Sequence, residues 1–262
     1  MGIKALRPIS YHEKLIISGD IIEYFEYERQ VRGGIGVRDG PLGRSKGANE
    51  TSKEINRVVV MQRARTTLRR LINANIGQWV DSRGRPYVSK FVTLTFADNV
   101  TELAQANPEF KKFIKRLNRY VGYKVEYNAV PEFQKRGAVH YHVIFYNLSY
   151  IANKKLREIW NQGFVRVNNI DKVDNVGAYV CKYMGKDFGE VDKLKEQKCY
   201  FSSRGLLKPV EIKEKPRVQS IVGTLSEEFV RYKTQFDTEY LGKIQYTQYN
   251  LKSVRNQEKV CR

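Results

Sequence analysis

The chain has 262 residues, 41% of them hydrophobic, so it can bury a sizeable core and does not have the composition of a disordered protein. Its 47 Lys and Arg residues outnumber its 28 Asp and Glu residues, for a formal net charge of +19. This charge predicts attraction to polyanions, and the 17 Tyr and 12 Phe residues add rings on which nucleic-acid bases can stack. We expect a nucleic-acid partner, with loose binding to ribosomes or acidic membranes as the alternative.

Targeting signals and membrane spans are not expected. The first residues lack the apolar core of a secretory signal, and no stretch approaches the ~20 apolar residues of a membrane helix. The three cysteines have neither zinc-finger nor redox spacing, and their odd number does not suit a disulfide framework. The sequence therefore predicts a protein of a reducing cytoplasm that does not act at a membrane.

The first quarter of the chain predicts a hairpin, a loop and a helix. Residues 15–17 and 21–27 form a possible strand pair, and the glycine-rich stretch that follows reads as a basic surface loop because it lacks the phosphate-binding P-loop pattern. Residues 50–75 contain no Gly or Pro and predict a helix. Its arginines are candidates for phosphate contact, although a solvated face is the simpler alternative. They are Arg57, Arg63, Arg65, Arg69 and Arg70.

Residues 86–188 predict a compact mixture of strands and helices. Residues 91–96 (FVTLTF) alternate as a strand does, Asn107-Pro108 suggests a helix start, and the apolar spacing that follows predicts an amphipathic helix. The remaining strands are predicted at 123–130, 139–146 and 164–170, and the remaining helices at 152–161, with Gly163 as terminator, and at 176–186. This β-α-β-β-α-β-α order predicts an α+β fold with a central antiparallel or mixed sheet and flanking helices.

The C-terminal part is less regular. Residues 225–236 are predicted to be helical and residues 244–250 to form a strand. The predicted organisation is a basic N-terminal region at 1–85, a catalytic core at 86–190, and an extension at 191–262 that completes the core or binds DNA.

Two of the three histidines, His140 and His142, lie on one predicted strand. Alternate residues share a strand face, so the two imidazoles lie side by side while Val139, Tyr141 and their alternates face the core. Imidazole is a good metal ligand. A hairpin turn ending at Gly137 brings the preceding strand alongside, which makes Glu132 or Gln134 a possible third ligand, with Glu132 favoured for its charge. The alternative is a pair of hydrogen-bonded or solvent-facing histidines.

A second group of candidate residues lies in the sequence YVCKYMGK at 179–186. Tyr179, Lys182, Tyr183 and Lys186 fall on one helical face, with Val176, Val180 and Met184 beside them to anchor the helix. Nearby lysines favour the phenolate and attract a phosphate. Taken with the histidines, this pattern predicts a metal that polarises a phosphate and a tyrosine that attacks it. The alternative is an amphipathic helix with half-buried tyrosines.

The three segments, 91–96, 132–142 and 179–186, resemble the ordered motifs of the HUH endonucleases, and among these the rolling-circle replication initiators of plasmids and single-stranded DNA phages. The resemblance covers about residues 86–190. It implies a central antiparallel sheet with the metal on its exposed face.

The resemblance also implies roles for the site residues. His140, His142 and Glu132 bind Mg²⁺ or Mn²⁺. Tyr179 attacks the scissile phosphodiester, leaving a 5′-phosphotyrosine and a 3′-OH primer, and Tyr183 handles the terminating strand transfer. Lys182 orients the metal site or stabilises charge, while the first motif mainly supports the sheet.

The partners implied are single-stranded DNA, the origin duplex, a host DNA polymerase and a host helicase, since the chain has no Walker A pattern. Two alternatives stay open: a conjugative relaxase or single-tyrosine transposase of the same superfamily, and a non-catalytic protein that binds single-stranded nucleic acid.

Overall fold

The computed structural model describes residues 9–33, 50–134, 136–168, 170, 173–183 and 198–252. The chain divides into two compact units, one formed by residues 1–51 and 209–262 and the other by residues 52–208. None of the described helices is both long enough and apolar enough to cross a membrane.

The second unit is built on a five-stranded antiparallel sheet. Its strands are β3 (Lys90–Phe96), β4 (Tyr127–Phe133), β5 (Val139–Phe145), β6 (Gly163–Asn168) and β7 (Phe201–Ser202), in the spatial order β6-β3-β5-β4-β7. The central strand β5 is buried along its whole length. This confirms the predicted α+β class with an antiparallel sheet.

Helices cover both faces of this sheet. On one face, α2 (Leu103–Val121) and α3 (Asn153–Trp160) pack against the β5 residues Val139, Tyr141 and their alternates, as predicted. On the other face, α1 (Glu50–Asn73) and α4 (Val176–Cys181) pack over Phe91 and Ile144. His140 and His142 lie on this second face.

The start of α2 differs from the prediction. The helix begins at Leu103, so Pro108 lies inside it and Asn107 is not its cap. Burial of Leu103 and Ala106 holds the extra turn, and the Asn107 side chain is instead used as an acceptor by the buried Tyr141 hydroxyl at 2.6 Å. Tertiary contacts thus outweigh the local signal of the Asn-Pro pair.

Three other predicted boundaries move. Strand β4 begins at Tyr127 rather than at residue 123. Helix α3 ends through Asn161, which adopts a left-handed conformation with φ 54°, while the predicted terminator Gly163 opens β6. Helix α4 ends at Cys181, and residues 184–186 of its predicted extent lie outside the described residues.

The first unit is built on another antiparallel sheet, to which segments near both ends of the chain contribute strands. Strands β1 (Ile9–Ser18) and β2 (Ile21–Gly33) form the predicted hairpin; β8 (Val210–Ile212), β9 (Val230–Thr238) and β10 (Gly242–Asn250) come from the C-terminal part. The order is β8-β1-β2-β10-β9, and α5 (Lys215–Val222) packs on β1 through a core containing Leu15, Ile22 and Val218.

The predicted helix at 225–236 is wrong, because residues 230–238 form strand β9. Its alternation of β-branched and aromatic residues with polar ones suits a strand, and Gly242 at φ 64° permits the hairpin into β10. The predicted strand at 244–250 is confirmed. The predicted glycine-rich loop lies almost entirely outside the described residues.

Candidate active site

The strand register in the sheet of the second unit brings the predicted metal ligands together. Strand β4 pairs with β5 so that Glu132 lies opposite His140, across a turn in which the Gly137 amide donates to the Gln134 carbonyl at 2.7 Å. Gly137 adopts φ 86°, a conformation open to glycine at little cost. Burial leaves His140 only 7% and His142 only 5% exposed. Both imidazoles therefore lie beside the Glu132 carboxylate.

Two threonines of β3 orient the histidines from the other side. Thr95 lies opposite His140 and Thr93 opposite His142. The Thr93 hydroxyl is 3.2 Å from His142 Nδ1, and the Thr95 hydroxyl is 3.5 Å from His140 Nδ1. In His140, a hydroxyl that accepts from Nδ1–H leaves the lone pair on Nε2. In His142, the hydrogen bond from Nε2 to Glu132 leaves Nδ1 to accept from the Thr93 hydroxyl. Both rings are thus held in place, and His140 Nε2 is the atom available to a ligand.

The Nε2 atoms of the two histidines have different surroundings. His142 Nε2 lies 2.5 Å from Glu132 Oε2, a short hydrogen bond. His140 Nε2 is buried without a hydrogen-bond partner among the described residues. Burial, the neighbouring His142 and Arg136 lower the pKa of His140, against the opposing effect of Glu132. His140 is therefore neutral at pH 7, the form that coordinates metals.

The donors suit a divalent cation in kind. Two imidazole nitrogens and a carboxylate are ligands for transition metals, and the unpartnered His140 Nε2 is a lone pair that a cation would satisfy. Within the described ranges, however, no three His, Cys, Asp or Glu side chains already converge as a metal site requires. Glu132 and His142 are bonded to each other, and the carboxylate would have to turn from the imidazole to share a cation with it.

Gln134 was the alternative third ligand. Its side-chain oxygen accepts a hydrogen bond from Arg136 at 3.2 Å, at the tip of the turn. Glu132 lies on the strand and already contacts His142. The geometry therefore favours Glu132 over Gln134.

Of the two predicted tyrosines, Tyr183 contacts His142 directly and Tyr179 is joined to it through Tyr183 and Phe91. The Tyr183 ring stacks on His142 with centroids 3.9 Å apart and planes 24° apart. The Tyr183 hydroxyl donates to the Tyr179 hydroxyl at 3.3 Å. Phe91 contacts both tyrosines and His142, with each pair of centroids within 5.7 Å. Phenols and imidazoles thus form one continuous group.

Helix α4 is held in position by side chains of α1. Asn73 accepts a hydrogen bond from the Gly177 amide at 2.8 Å and donates to the Asn175 side chain, which caps α4. Gly177 is required at this crossing, because a Cβ there would lie 2.3 Å from the Arg69 carbonyl oxygen. Val176 and Val180 are buried, as predicted. The tyrosines therefore stand on a helix that is fixed from two sides.

The predicted effect of lysine on the tyrosines is wrong for Tyr183. Burial, the hydrogen bond with Tyr179, and the nearby Tyr179 and Glu132 raise the pKa of Tyr183 to about 12. Lys182 is exposed, with its ammonium 5.8 Å from the Tyr179 ring centroid. Arg166, rather than a lysine, is the cation that lowers the pKa of Tyr183, and its effect is smaller. Lys186 lies outside the described residues.

The arginines of α1 differ in their surroundings. Arg63 and Arg65 are exposed, Arg69 and Arg70 are half-buried, and the Arg57 side chain lies outside the described residues. Arg65 also donates from Nε to the Cys181 carbonyl at 3.1 Å, which ties α1 to the end of α4. Arg65 therefore has a structural contact in addition to its predicted contact with phosphate.

The fold and this group of residues are those expected of an α+β protein with an HUH-type site. Residues 89–188 match the family model described as Replication-associated protein ORF2/G2P. The match confirms the resemblance to rolling-circle replication initiators over this part of the chain. No curated protein and no solved structure matches the chain.

Sequence reasoning missed the contribution of β3 to the site. It assigned this strand a supporting role, whereas Phe91, Thr93 and Thr95 all contact the histidines. Alternation in FVTLTF already puts these three residues on one face. The missing information was the pairing of β3 with β5, which the sequence of either strand does not specify.

Proposed function

We propose that this replication-associated protein nicks one DNA strand at an origin through a tyrosine nucleophile, with a divalent cation held by His140, His142 and Glu132. The observation that carries the proposal is the contact between the tyrosines and the proposed metal ligands. Tyr183 stacks on His142, which bonds to Glu132, and Tyr179 bonds to Tyr183. The proposed nucleophile is thus separated from the proposed metal ligands by one residue, Tyr183, and these two groups are the parts that strand cleavage needs.

The proposed step is a transesterification. The Tyr179 phenolic oxygen, having lost its proton, attacks the phosphorus, and the bond from phosphorus to the 3′ oxygen breaks. The 3′ oxygen leaves as a hydroxyl after gaining a proton, and the 5′ phosphate stays on the tyrosine. Phosphodiester bonds are exchanged without net hydrolysis, so the free 3′-OH primes synthesis and the linkage can later rejoin a strand.

A bound Mg²⁺ or Mn²⁺ supplies Lewis-acid stabilisation of charge on the phosphate. The protein residues position the reaction. Thr93 and Thr95 orient the imidazoles, while Tyr183 supports Tyr179 through its hydroxyl. Lys182, exposed beside the Tyr179 ring, supplies positive charge near the attacking oxygen. The arginines of α1 and Lys186 provide phosphate contacts.

The proposed partners are single-stranded DNA, the origin duplex, and a host helicase and polymerase in a bacterial cytoplasm. The chain is tested by incubation with single-stranded DNA from its own origin region and Mn²⁺. Nicking is expected to give a protein–DNA adduct that survives denaturing electrophoresis. DNA binding without an adduct would indicate a non-catalytic single-strand binder instead.

Thr93→Val and Thr95→Val are each expected to lower Mn²⁺ affinity about 10- to 100-fold, the range measured for residues that orient metal ligands. Valine keeps the shape of threonine but cannot form the hydrogen bond with Nδ1. Calorimetric titration of Mn²⁺ measures the effect. The exposed Thr101→Val variant is the matched control and should bind like the wild type. Equal Mn²⁺ affinity in all four proteins would refute the orienting role.

Affinity for single-stranded DNA is expected to fall steeply with salt, because each phosphate contact changes the slope of log K against log salt by about −0.7. Fluorescence anisotropy between low and moderate salt, without divalent metal, gives the slope. Arg63→Gln should reduce the magnitude of this slope by about 0.7, the contribution of one phosphate contact. An affinity that did not change with salt would contradict binding through phosphates.

A further inference from the structure

We infer that strand β6 forms a DNA-binding rim beside the active site, in which Phe164 stacks on a base and Arg166 contacts a phosphate. This inference rests on the proposed function, because it takes single-stranded DNA as the ligand. Neither residue was a candidate from sequence. Both belong to β6, an edge strand of the sheet in the second unit.

The register aligns both residues with the site. Phe164 lies opposite Thr95, which lies opposite His140, which lies opposite Glu132, so these four residues form one row across the sheet. Arg166, Thr93 and His142 form the next row. Neighbouring strands are about 4.8 Å apart, so each rim residue lies about 10 Å from the histidine of its row. A strand crossing the site meets the rim within a short distance of the scissile phosphate.

The exposure of Phe164 is unusual for its position. Val165 between the two rim residues is buried in the core, whereas Phe164 is 69% exposed on the face that carries the histidines. The Arg157 guanidinium lies 5.7 Å from the Phe164 ring centroid. An exposed ring paired with a cation is the arrangement on which bases of single strands stack, with little sequence preference.

Arg166 supplies charge on the same rim. Its side chain is exposed and donates from Nε to the Asn168 side chain at 3.1 Å, which directs the guanidinium along the edge strand. It lies in the same row as His142, on which the Tyr183 ring stacks. A phosphate bound by Arg166 would therefore lie beside the tyrosine pair. With a net charge of +19 on the chain, an anionic strand is the occupant that the charges favour.

The test measures binding of single-stranded DNA by fluorescence anisotropy with divalent metal chelated, so that cleavage plays no part. Phe164→Ala is expected to weaken binding about 5- to 100-fold, the range for loss of one stacked base, and Phe164→Trp to restore it. Arg166→Gln should flatten the salt dependence by about 0.7.

Helix α2, on the opposite face of the sheet, offers matched controls. Tyr120 is 52% exposed with the Lys155 ammonium 5.5 Å from its ring centroid, so Tyr120→Ala removes a similar ring–cation pair from a helix outside the rim. Arg119→Gln is the control for Arg166→Gln. Both controls should bind like the wild type.

An oligonucleotide series with one abasic position identifies the stacked base. The wild type should lose affinity for the oligonucleotide in which the abasic position replaces the base that stacks on Phe164. The affinity of the Phe164→Ala variant should not change at that position. The proposed rim would be overturned if Phe164→Ala bound single-stranded DNA as tightly as the wild type. It would also be overturned if an abasic position anywhere in the oligonucleotide weakened binding equally in both proteins. A chain that shows these effects but forms no adduct would lack the proposed nuclease and keep the rim.

Discussion

Replacement of His140 and His142 by Ala is expected to reduce metal-dependent strand cleavage by about 100-fold or more. Lewis-acid stabilisation is worth several kcal/mol, and about 1.4 kcal/mol corresponds to a factor of ten in rate. Affinity for single-stranded DNA should change little, since the charges of the chain remain. The measurement is nicking of labelled origin DNA across a Mn²⁺ series, with binding measured in parallel.

The third histidine provides the control for this experiment. His12 belongs to β1 in the first unit, where its ring bonds to the Tyr27 carbonyl at 3.2 Å. His12→Ala should cleave like the wild type. Unchanged nicking by the double variant would remove the metal assignment, and loss of DNA binding with loss of nicking would point to misfolding of β5.

Tyr179→Phe is expected to reduce the first cleavage to background, and Tyr183→Phe to reduce it only about fivefold. Loss of the nucleophile removes the reaction, whereas Tyr183→Phe removes a hydrogen bond to Tyr179 worth about 1 kcal/mol. Single-turnover cleavage of the two variants measures the difference. Tyr200→Phe, which alters a partly buried tyrosine of the same core, is the control.

The order of the tyrosines has a physical basis. A pKa of about 12 makes the Tyr183 phenolate costly before DNA and metal are bound, and burial is the main cause. Tyr183 also donates its hydrogen to Tyr179, which orients it as the supporting group. Equal losses in the two variants would show that the tyrosines are interchangeable, and a greater loss in Tyr183→Phe would reverse their roles.

The elements of the second unit could be predicted because their sequence patterns are strong. The alternation in β3 and β5 and the apolar spacing of α2 each specify one element from local sequence. The turn at Gly137 then allowed Glu132 to be paired with the histidine strand. These local patterns make candidates of five residues that the structure places near one another, namely His140, His142, Glu132, Tyr179 and Tyr183.

The remaining features depend on contacts between distant segments. The pairing of β2 with β10 joins residues separated by more than 200 positions, so the mixed origin of the first unit has no local signal. The same contacts make residues 230–238 a strand although their sequence suggested a helix. The threonines next to the histidines and the rim on β6 required knowledge of strand order, which the sequence does not state.

The most direct test of the central claim is mass mapping of the protein–DNA adduct after incubation with single-stranded origin DNA and Mn²⁺. Trypsin cuts after Lys182 and so separates the peptide holding Tyr179, residues 173–182, from that holding Tyr183, residues 183–186. A nucleotide remnant is expected on the 173–182 peptide after the first cleavage. Cleaved DNA with no remnant on either peptide would contradict a tyrosine nucleophile.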